Sequence, residues 1–569
     1  MTRSQLLAVA RGDAPADLVL RGARLVNVLS GEIHDADVAV AGGRVIGWGD
    51  YHGVQEIDLA GAYLLPGLLD AHVHIESSLL SVGEFARAVA AHGTTGAFVD
   101  PHEVANVCGA AGVEWVLRAA AGLPVEIWVN VPSCVPASPF DDPGAVLGPA
   151  EVADLLARPG VCGLAEMMNY PGTIFGDAEI DAKLDAAAGR PIDGHAPGIS
   201  GRDVMAYFLA GPQSDHECTN AAEAIAKLRA GCWLFIREGS ATKNLAALLP
   251  ALNPHNARRI CLCCDDIASE DLVREGHIDR IVREVIAAGV DPVTAVTMAT
   301  LNTAERFGVA GRCGAIAPGR QADFVVVDDL TTFEVRQTWK AGVKIAEEGQ
   351  ALFQSLPVDD TALRGSVRVA APAASDFALP WAGGPIKVIE VYPNLILTGA
   401  QSAEPRVEDG LIRSDVERDL LKGACLERHG GSGQIGLGLL KGFGLRRGAL
   451  ASTVGHDSHN ITVVGVTDRA MARATAAVVE AGGGLAVADD EEVLYCLALP
   501  LAGLMSDRPV HAVAAECREL RAAAASLGTP LPDPFMTLSF VSLSVIPALR
   551  LTPRGLVDVN RFELVGLPA

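Results

Sequence analysis

The chain predicts an α/β fold centred on a (β/α)₈ barrel, on three observations. Short apolar runs alternate with helical stretches between about residues 67 and 310. β-rich segments flank that region on both sides. A His-X-His pair, His72 and His74, closes the first apolar run, where a barrel presents its chemistry, at a strand's C-terminal end.

The elements follow in order. Residues 17–20, 23–28 and 37–41 read as short strands separated by Gly and Asp turns, and Gly42-Gly43 followed by Arg44-Val45-Ile46 reads as a hairpin. The same texture resumes over 316–350, so the two segments are expected to share one sheet. Within the middle region, apolar runs at 95–99, 125–131, 161–165, 192–194, 232–236 and 260–264 alternate with helical stretches at 83–92, 112–121, 149–156, 180–188, 201–209, 220–229 and 278–288. Small residues around Pro372 suggest a linker. Beyond it, strands are expected at 386–391, 461–467 and 536–546, and helices at 469–481 and 510–527. The expected organisation is a small β domain from 1–66 plus 312–358, a metal-dependent barrel over 67–311, and a mixed α/β domain over 359–569.

Composition narrows the function. Of 569 residues, 50% are hydrophobic and 5% aromatic, and the formal net charge is −24. So acidic a surface repels nucleic acid and anionic membranes and is compatible with a neutral or cationic small molecule. No run of about 18 apolar residues appears, as a membrane span would need. The first apolar run is short and ends at Arg11, unlike a signal peptide, so a cytoplasmic location is expected. The 12 cysteines are scattered. Cys261-Leu262-Cys263-Cys264 contains a CxxC spacing with no second one to complete a four-thiolate zinc site, so reduced, buried thiols are expected.

The chemistry lies at the ends of the apolar runs. In a strand, side chains two apart share a face, so His72 and His74 can reach one ion. Glu166 follows 161–165, His195 follows 191–194, His216 lies in Ser214-Asp215-His216-Glu217, and Asp265 ends 260–264. Any one of these alone is equally well an ordinary hydrogen-bonded strand-end group. Together, four imidazoles and two carboxylates exceed one tetrahedral ion and suit two divalent ions sharing a bridge. Two such ions, less Glu166, Asp265 and a bridging hydroxide, leave about one positive charge, which favours hydroxide over water at neutral pH.

The chain resembles the bacterial adenine deaminases, a family of the amidohydrolase superfamily. The resemblance rests on the stretch Pro66-Gly67-Leu68-Leu69-Asp70-Ala71-His72-Val73-His74-Ile75-Glu76-Ser77-Ser78, on His92-Gly93-Thr94-Thr95, on Asp100-Pro101-His102-Glu103-Val104-Ala105-Asn106, and on Glu166-Met167-Met168-Asn169 and Asp193-Gly194-His195-Ala196-Pro197. It continues beyond the barrel through Val454-Gly455-His456-Asp457-Ser458-His459-Asn460, the segment 499–506 and Asp533-Pro534-Phe535-Met536-Thr537-Leu538. It implies hydrolytic deamination of adenine to hypoxanthine and ammonia, a purine-salvage reaction, by a metal-bridging hydroxide attacking C6. Two divalent ions are implied, manganese foremost, with iron or zinc as other occupants. It also implies ligand roles: His72, His74 and Asp265 on one ion, His195 and His216 on the other, and Glu166 as both bridge and catalytic group. A carboxylated lysine cannot supply the bridge early in the barrel, because the first lysine is Lys183.

Asp265 is expected to accept the nucleophile's proton, and Glu166, Glu217 or Glu103 to protonate the ring at N1. His102, Glu103, Glu217, Arg237, His456 and His459 are weaker candidates for substrate contact or support of the ligands. A surface loop is the lesser alternative for His102 and Glu103, while a helix start or interface is an equal reading for His456 and His459 and a salt bridge for Arg237. The partner expected is a purine, and the assembly a homo-oligomer, a dimer first.

Three other functions compete. His74-Ile75-Glu76 matches the H-x-E of cytidine-type zinc deaminases, but their P-C-x-x-C is absent. A cyclic-amide hydrolase on the same barrel is disfavoured by the missing bridging lysine, and an inactive scaffold by the complete ligand set. The same chemistry on another 6-substituted purine, such as N6-methyladenine, stays open.

Overall fold

The structure, a computed structural model, describes residues 1–393 and 395–569. Its centre is a curled parallel sheet with helices outside it. The strands are β1 (Leu68–His74), β2 (Thr94–Val99), β3 (Glu126–Val131), β4 (Val161–Met167), β5 (Ile192–Gly194), β6 (Ser214–Asp215), β7 (Trp233–Arg237) and β8 (Ile260–Cys263). Strands β1 to β5 pair in sequence order, all parallel, and β6, β7 and β8 form a second parallel set. β8 runs through Cys264 into Asp265–Asp266, which pairs with β1 as Asp265↔Val73 and Asp266↔His74. On the other side, the Gln213 N–H donates to the Ile192 carbonyl at 2.9 Å.

Aromatic rings fill the interior of this curl. Phe98 stacks on Phe307 at 3.6 Å between centroids and on Trp128 at 4.5 Å, in a cluster with Leu69, Ala71, Phe235, Cys261 and Cys263. Leu69 and Ala71 therefore point inward, and unbroken alternation would send His72 and His74 to the opposite face. Instead the β1–β2 ladder slips between Asp70 and Val73. The slip shifts the side-chain phase, and both imidazoles lie over the aromatic floor.

The flanking β segments share one nine-stranded sheet. Tyr63–Pro66 pairs antiparallel with Phe324–Val327, and the sheet extends through Val335–Lys340 and Val343–Glu347 on one side and Ala16–Asn27 and Glu32–Ala41 on the other. The strand that feeds β1 is thus held by residues reached only after the curled sheet is complete. The two strands expected at 17–20 and 23–28 are one strand, Ala16–Asn27. Its register to Glu32–Ala41 breaks between Leu20 and Ala23, where Gly22 takes φ +62° and absorbs a bulge. The Gly42-Gly43 hairpin is present between Glu32–Ala41 and Arg44–Trp48.

The C-terminal region builds an eight-stranded sheet from strands between Ile386 and Ala498. Helix Asp468–Glu480 covers one face through Met471, Ala474 and Val478, and helix Val510–Ser526 packs Leu520 and Ala524 on the other. Residues 536–546, expected as a strand, are instead the end of helix Pro534–Ser539, a single 3₁₀ turn at Phe540–Ser542 and a loop. Asp533 caps that helix by accepting from the Phe535 and Met536 N–H groups, and Pro534 fills its first position, which overrides the β-forming composition that follows. Among the described residues no helix is long and apolar enough to cross a membrane.

Close packing at β5 generates a prediction. A Cβ on Gly194 would meet the Ser214 carbonyl oxygen at 2.2 Å, so β5 and β6 approach only because this residue has no side chain. Gly194→Ala should destabilise the protein by roughly 1–3 kcal/mol, the usual cost of overpacking. Thermal unfolding checks it: an unchanged Tm would show that the two strands can separate freely.

Candidate metal and active site

The curl places its strand ends on one side. His72 and His74 finish β1, Glu166 is the penultimate residue of β4, His195 and His216 follow β5 and β6, and Arg237 ends β7. Asp265 follows β8 with φ +61°, a left-handed conformation that Asp tolerates better than most residues. The ladder to β1 holds it there. His72, His74, Glu166, His216 and Asp265 are buried, and His195 nearly so.

Glu166 is central to the cluster. Its Oε1 lies 3.4 Å from His74 Nε2 and 4.0 Å from His72 Nε2. Its Oε2 lies 2.6 Å from His195 Nδ1 and 3.1 Å from His216 Nε2. Asp265 Oδ1 lies 3.2 Å from His74 Nε2 and 3.6 Å from His72 Nε2. Each Glu166 oxygen therefore faces one imidazole pair, and Asp265 closes the His72–His74 side. Imidazole nitrogens and carboxylate oxygens at these separations, buried together, are a donor set suited to divalent transition ions.

The electrostatics follow from burial and pairing. Burial alone would push the Glu166 carboxyl up, but the charges of His195 and His216 and their hydrogen bonds hold it well below the usual carboxylate range. Burial opposes ionisation of Asp265 too, and hydrogen bonds to His72 and His74 with the charge of Arg237 hold it well below that range. Arg237 donates to Asp265 Oδ2 at 2.8 Å, and its two terminal nitrogens take both oxygens of Glu217. The salt-bridge reading of Arg237 is thus realised, one contact away from the imidazoles: Glu217 Oε1 is 3.4 Å from His216 Nε2.

His102 and Glu103 are buried, so a surface loop does not describe them. They open helix His102–Cys108, whose first turn points into the site. His456 reaches the same cavity from the C-terminal region, with Nδ1 3.2 Å from Glu103 Oε1. His459 does not line the cavity; it lies behind, its Nδ1 accepting the Gly455 N–H and its Nε2 3.9 Å from Glu103 Oε2. Three buried acids beside the site were not singled out from the sequence, Asp100, Asp266 and Asp457, and Glu76 was read there only as part of an H-x-E match. Asp266 was masked by its neighbour Asp265. Asp100 and Asp457 sit in the motifs Asp100-Pro101-His102-Glu103 and Gly455-His456-Asp457, and their density of ionisable residues was the available signal.

The cavity over these groups is small, about 50 Å³. One wall is ionisable. The rest of its lining is apolar, Met168, Ile396, Phe540, Leu543, Val545 and Ile546, mostly supplied by the region that is helix and loop where a strand was expected. The two regions are tied by Ser544, which donates to Asp141 at 2.8 Å, and by Arg554, 2.6 Å from Asp142.

Comparison with known proteins decides the family. The chain is 48% identical over 569 residues to the adenine deaminase of Desulfatibacillum aliphaticivorans, covering 100% of each chain. It is 47% identical to that of Methanothrix thermoacetophila, again over 100% of both, and 46% identical to that of Dehalococcoides mccartyi strain CBDB1, over 99% of this chain and 98% of the other. The chain belongs to the adenine deaminase family. Within it, residues 63–345 match the amidohydrolase family model and residues 395–563 the adenine deaminase C-terminal domain. A crystal structure of D-hydantoinase, 16% identical, covers 59% of this chain and 96% of its own with a TM-score of 0.45.

Glu76 yields a pH prediction. Burial and the neighbouring charge of Glu103 push its carboxyl up to about 7, while the Val104 N–H donates to its Oε1. A carboxyl raised in the folded state stabilises below its unfolded pKa and loses that contribution as pH rises toward 7. Glu76→Gln keeps the accepting oxygen and cannot ionise. In metal-free protein it should be the more stable variant at pH 8, by up to about 3 kcal/mol, with the gain shrinking toward pH 5. Denaturant unfolding at both pH values tests this, and an equal difference at each would refute it.

Proposed function

We propose that this chain hydrolyses adenine to hypoxanthine and ammonia at the ends of the strands of a (β/α)₈ barrel formed by β1–β8. In this reading the small β domain comprises 1–66 plus 312–358, the barrel 67–311 and the C-terminal α/β domain 359–569. The observation that carries the site assignment is Glu166, whose two oxygens each face an imidazole pair. Full-length identity to adenine deaminases supports the substrate.

The donors fit a pair of divalent ions: His72, His74 and Asp265 would hold one, His195 and His216 the other, and Glu166 would bridge. Bound there, manganese or another such ion supplies Lewis acidity and a deprotonated water at neutral pH. The chain's own groups do the rest. Asp265 is ionised, so it can accept a proton from the attacking water and return it to the departing amino group. Arg237 fixes the second Asp265 oxygen, leaving Oδ1 turned to the reaction side. The apolar wall of Phe540, Leu543 and Ile546 faces the flat ring and excludes bulk water.

Ammonia release from a purine panel, with metal content measured on the same sample, tests the reading. Adenine should be the preferred substrate over N6-methyladenine, with at least two equivalents of ion per chain; full activity at one equivalent would overturn the paired-ion assignment. Adenine should also be turned over far faster than adenosine, since the C-terminal region covers the cavity where a ribose would extend. Comparable kcat/KM for both would show that it is no cover.

Asp265→Asn keeps the size and one oxygen donor but removes the charge. Metal-replete Asp265→Asn should lose roughly 10²–10⁴-fold in kcat, the range of a positioned acid–base group, while retaining much of its metal. Turnover near that of the wild type would assign proton transfer to another carboxylate.

A further inference from the structure

A second row of donors lies beside the first and adjoins it at His102, whose Nδ1 is 3.8 Å from Glu166 Oε1 while its Nε2 faces away toward Asp457. His102 and Glu103 come from the barrel region, His456 and Asp457 from the C-terminal region, and the four meet across the cavity. His102 Nε2 is 3.7 Å from Asp457 Oδ1, that oxygen is 3.6 Å from His456 Nδ1, and His456 Nδ1 is 3.2 Å from Glu103 Oε1. Ligands about 2.1 Å from a common ion, at tetrahedral or octahedral angles, stand roughly 3.0–3.5 Å apart, close to these separations.

The surrounding charge asks for a cation. Asp100, Glu103, Asp266 and Asp457 are all buried, and among the described residues no lysine or arginine pairs with any of them. Their partners are the imidazoles of His102 and His456, the His459 ring 3.9 Å from Glu103, and the Ser77 hydroxyl, which donates to Asp266 and lies 3.3 Å from Glu103. Protons on both imidazoles would supply two positive charges against four carboxylates. Several atoms here lack any hydrogen-bond partner: both Asp100 oxygens, Asp457 Oδ2, Glu103 Oε2 and His102 Nδ1. Isolated charges are not buried without a counter-charge.

We infer that His102, Glu103, His456 and Asp457 form a further divalent-cation site, separate from the Glu166 centre, that clamps the C-terminal domain to the barrel. Two nitrogen and two oxygen donors suit Mn²⁺, Fe²⁺ or Zn²⁺. Because two ligands come from each side, the ion links the cover of the cavity to its floor. The site stands beside the proposed catalytic centre and rests on that reading only for its location.

Anomalous diffraction from crystals of the full chain loaded with Mn²⁺, with elemental analysis of the same protein, tests this. The expected result is a manganese peak between His102 and His456 in addition to those at Glu166, with about three equivalents per chain. In Asp457→Asn that peak should vanish and the content fall by about one equivalent while the Glu166 peaks persist; His456→Gln is the second variant should the first fold poorly. Peaks at Glu166 with none between His102 and His456 would overturn the inference and leave the catalytic reading intact. A peak in the second row with none at Glu166 would support this site and overturn the catalytic reading.

Discussion

Burying ionised carboxylates is the constraint on which this structure turns. Glu166 and Asp265 are buried, where an unpaired charge would not survive. They are ionised because four imidazoles and one guanidinium converge on them from separate strands. That convergence sets the demands on the fold: β1 must slip register so that His72 and His74 turn over the aromatic floor, and Asp265 must adopt a positive φ so that its oxygens meet them. Arg237 and Glu217 then form an outer pair that holds the second Asp265 oxygen in place.

The aromatic cluster and the strand-end cluster divide the interior between them. Phe98, Trp128, Phe235 and Phe307 pack together in the lower layers. The flanking nine-stranded sheet holds the entry to β1 by pairing Tyr63–Pro66 with Phe324–Val327. The C-terminal region covers the remaining opening. Its apolar residues face the space for a ring, while His456 and Asp457 extend the acidic wall. The cavity is thus complete only when chain segments more than 300 residues apart are docked, as the Ser544–Asp141 hydrogen bond shows.

Much of this was legible in the residues. The alternation of apolar runs and helical stretches located the parallel strands, because a strand buried on both faces needs a short continuous apolar run and its crossover helix an amphipathic one. The donors His72, His74, Glu166, His195 and Asp265 were legible because each follows or ends such a run; His216 follows none and was legible only from its place in Ser214-Asp215-His216-Glu217 before a helical stretch. The segment 536–546 misled: its apolar, β-forming composition reflects burial against the cavity, and the cap at Asp533 and Pro534 decides its conformation. Asp100, Asp266 and Asp457 were passed over because an acid in a motif reads the same whether it faces water or a sealed cavity.

The sequence by itself determined the class of the fold, the set of metal-type donors and the family, since these depend on local periodicity and on residue identity at strand ends. Only the tertiary structure decided which donors lie together, one imidazole pair at each Glu166 oxygen. It also placed His456 in the cavity and His459 behind it, and it formed a second row of imidazoles and carboxylates across the join of two regions. The reason is geometric: a register slip, one positive φ and the docking of a distant segment set where side chains meet, and none of these leaves a periodic trace along the chain.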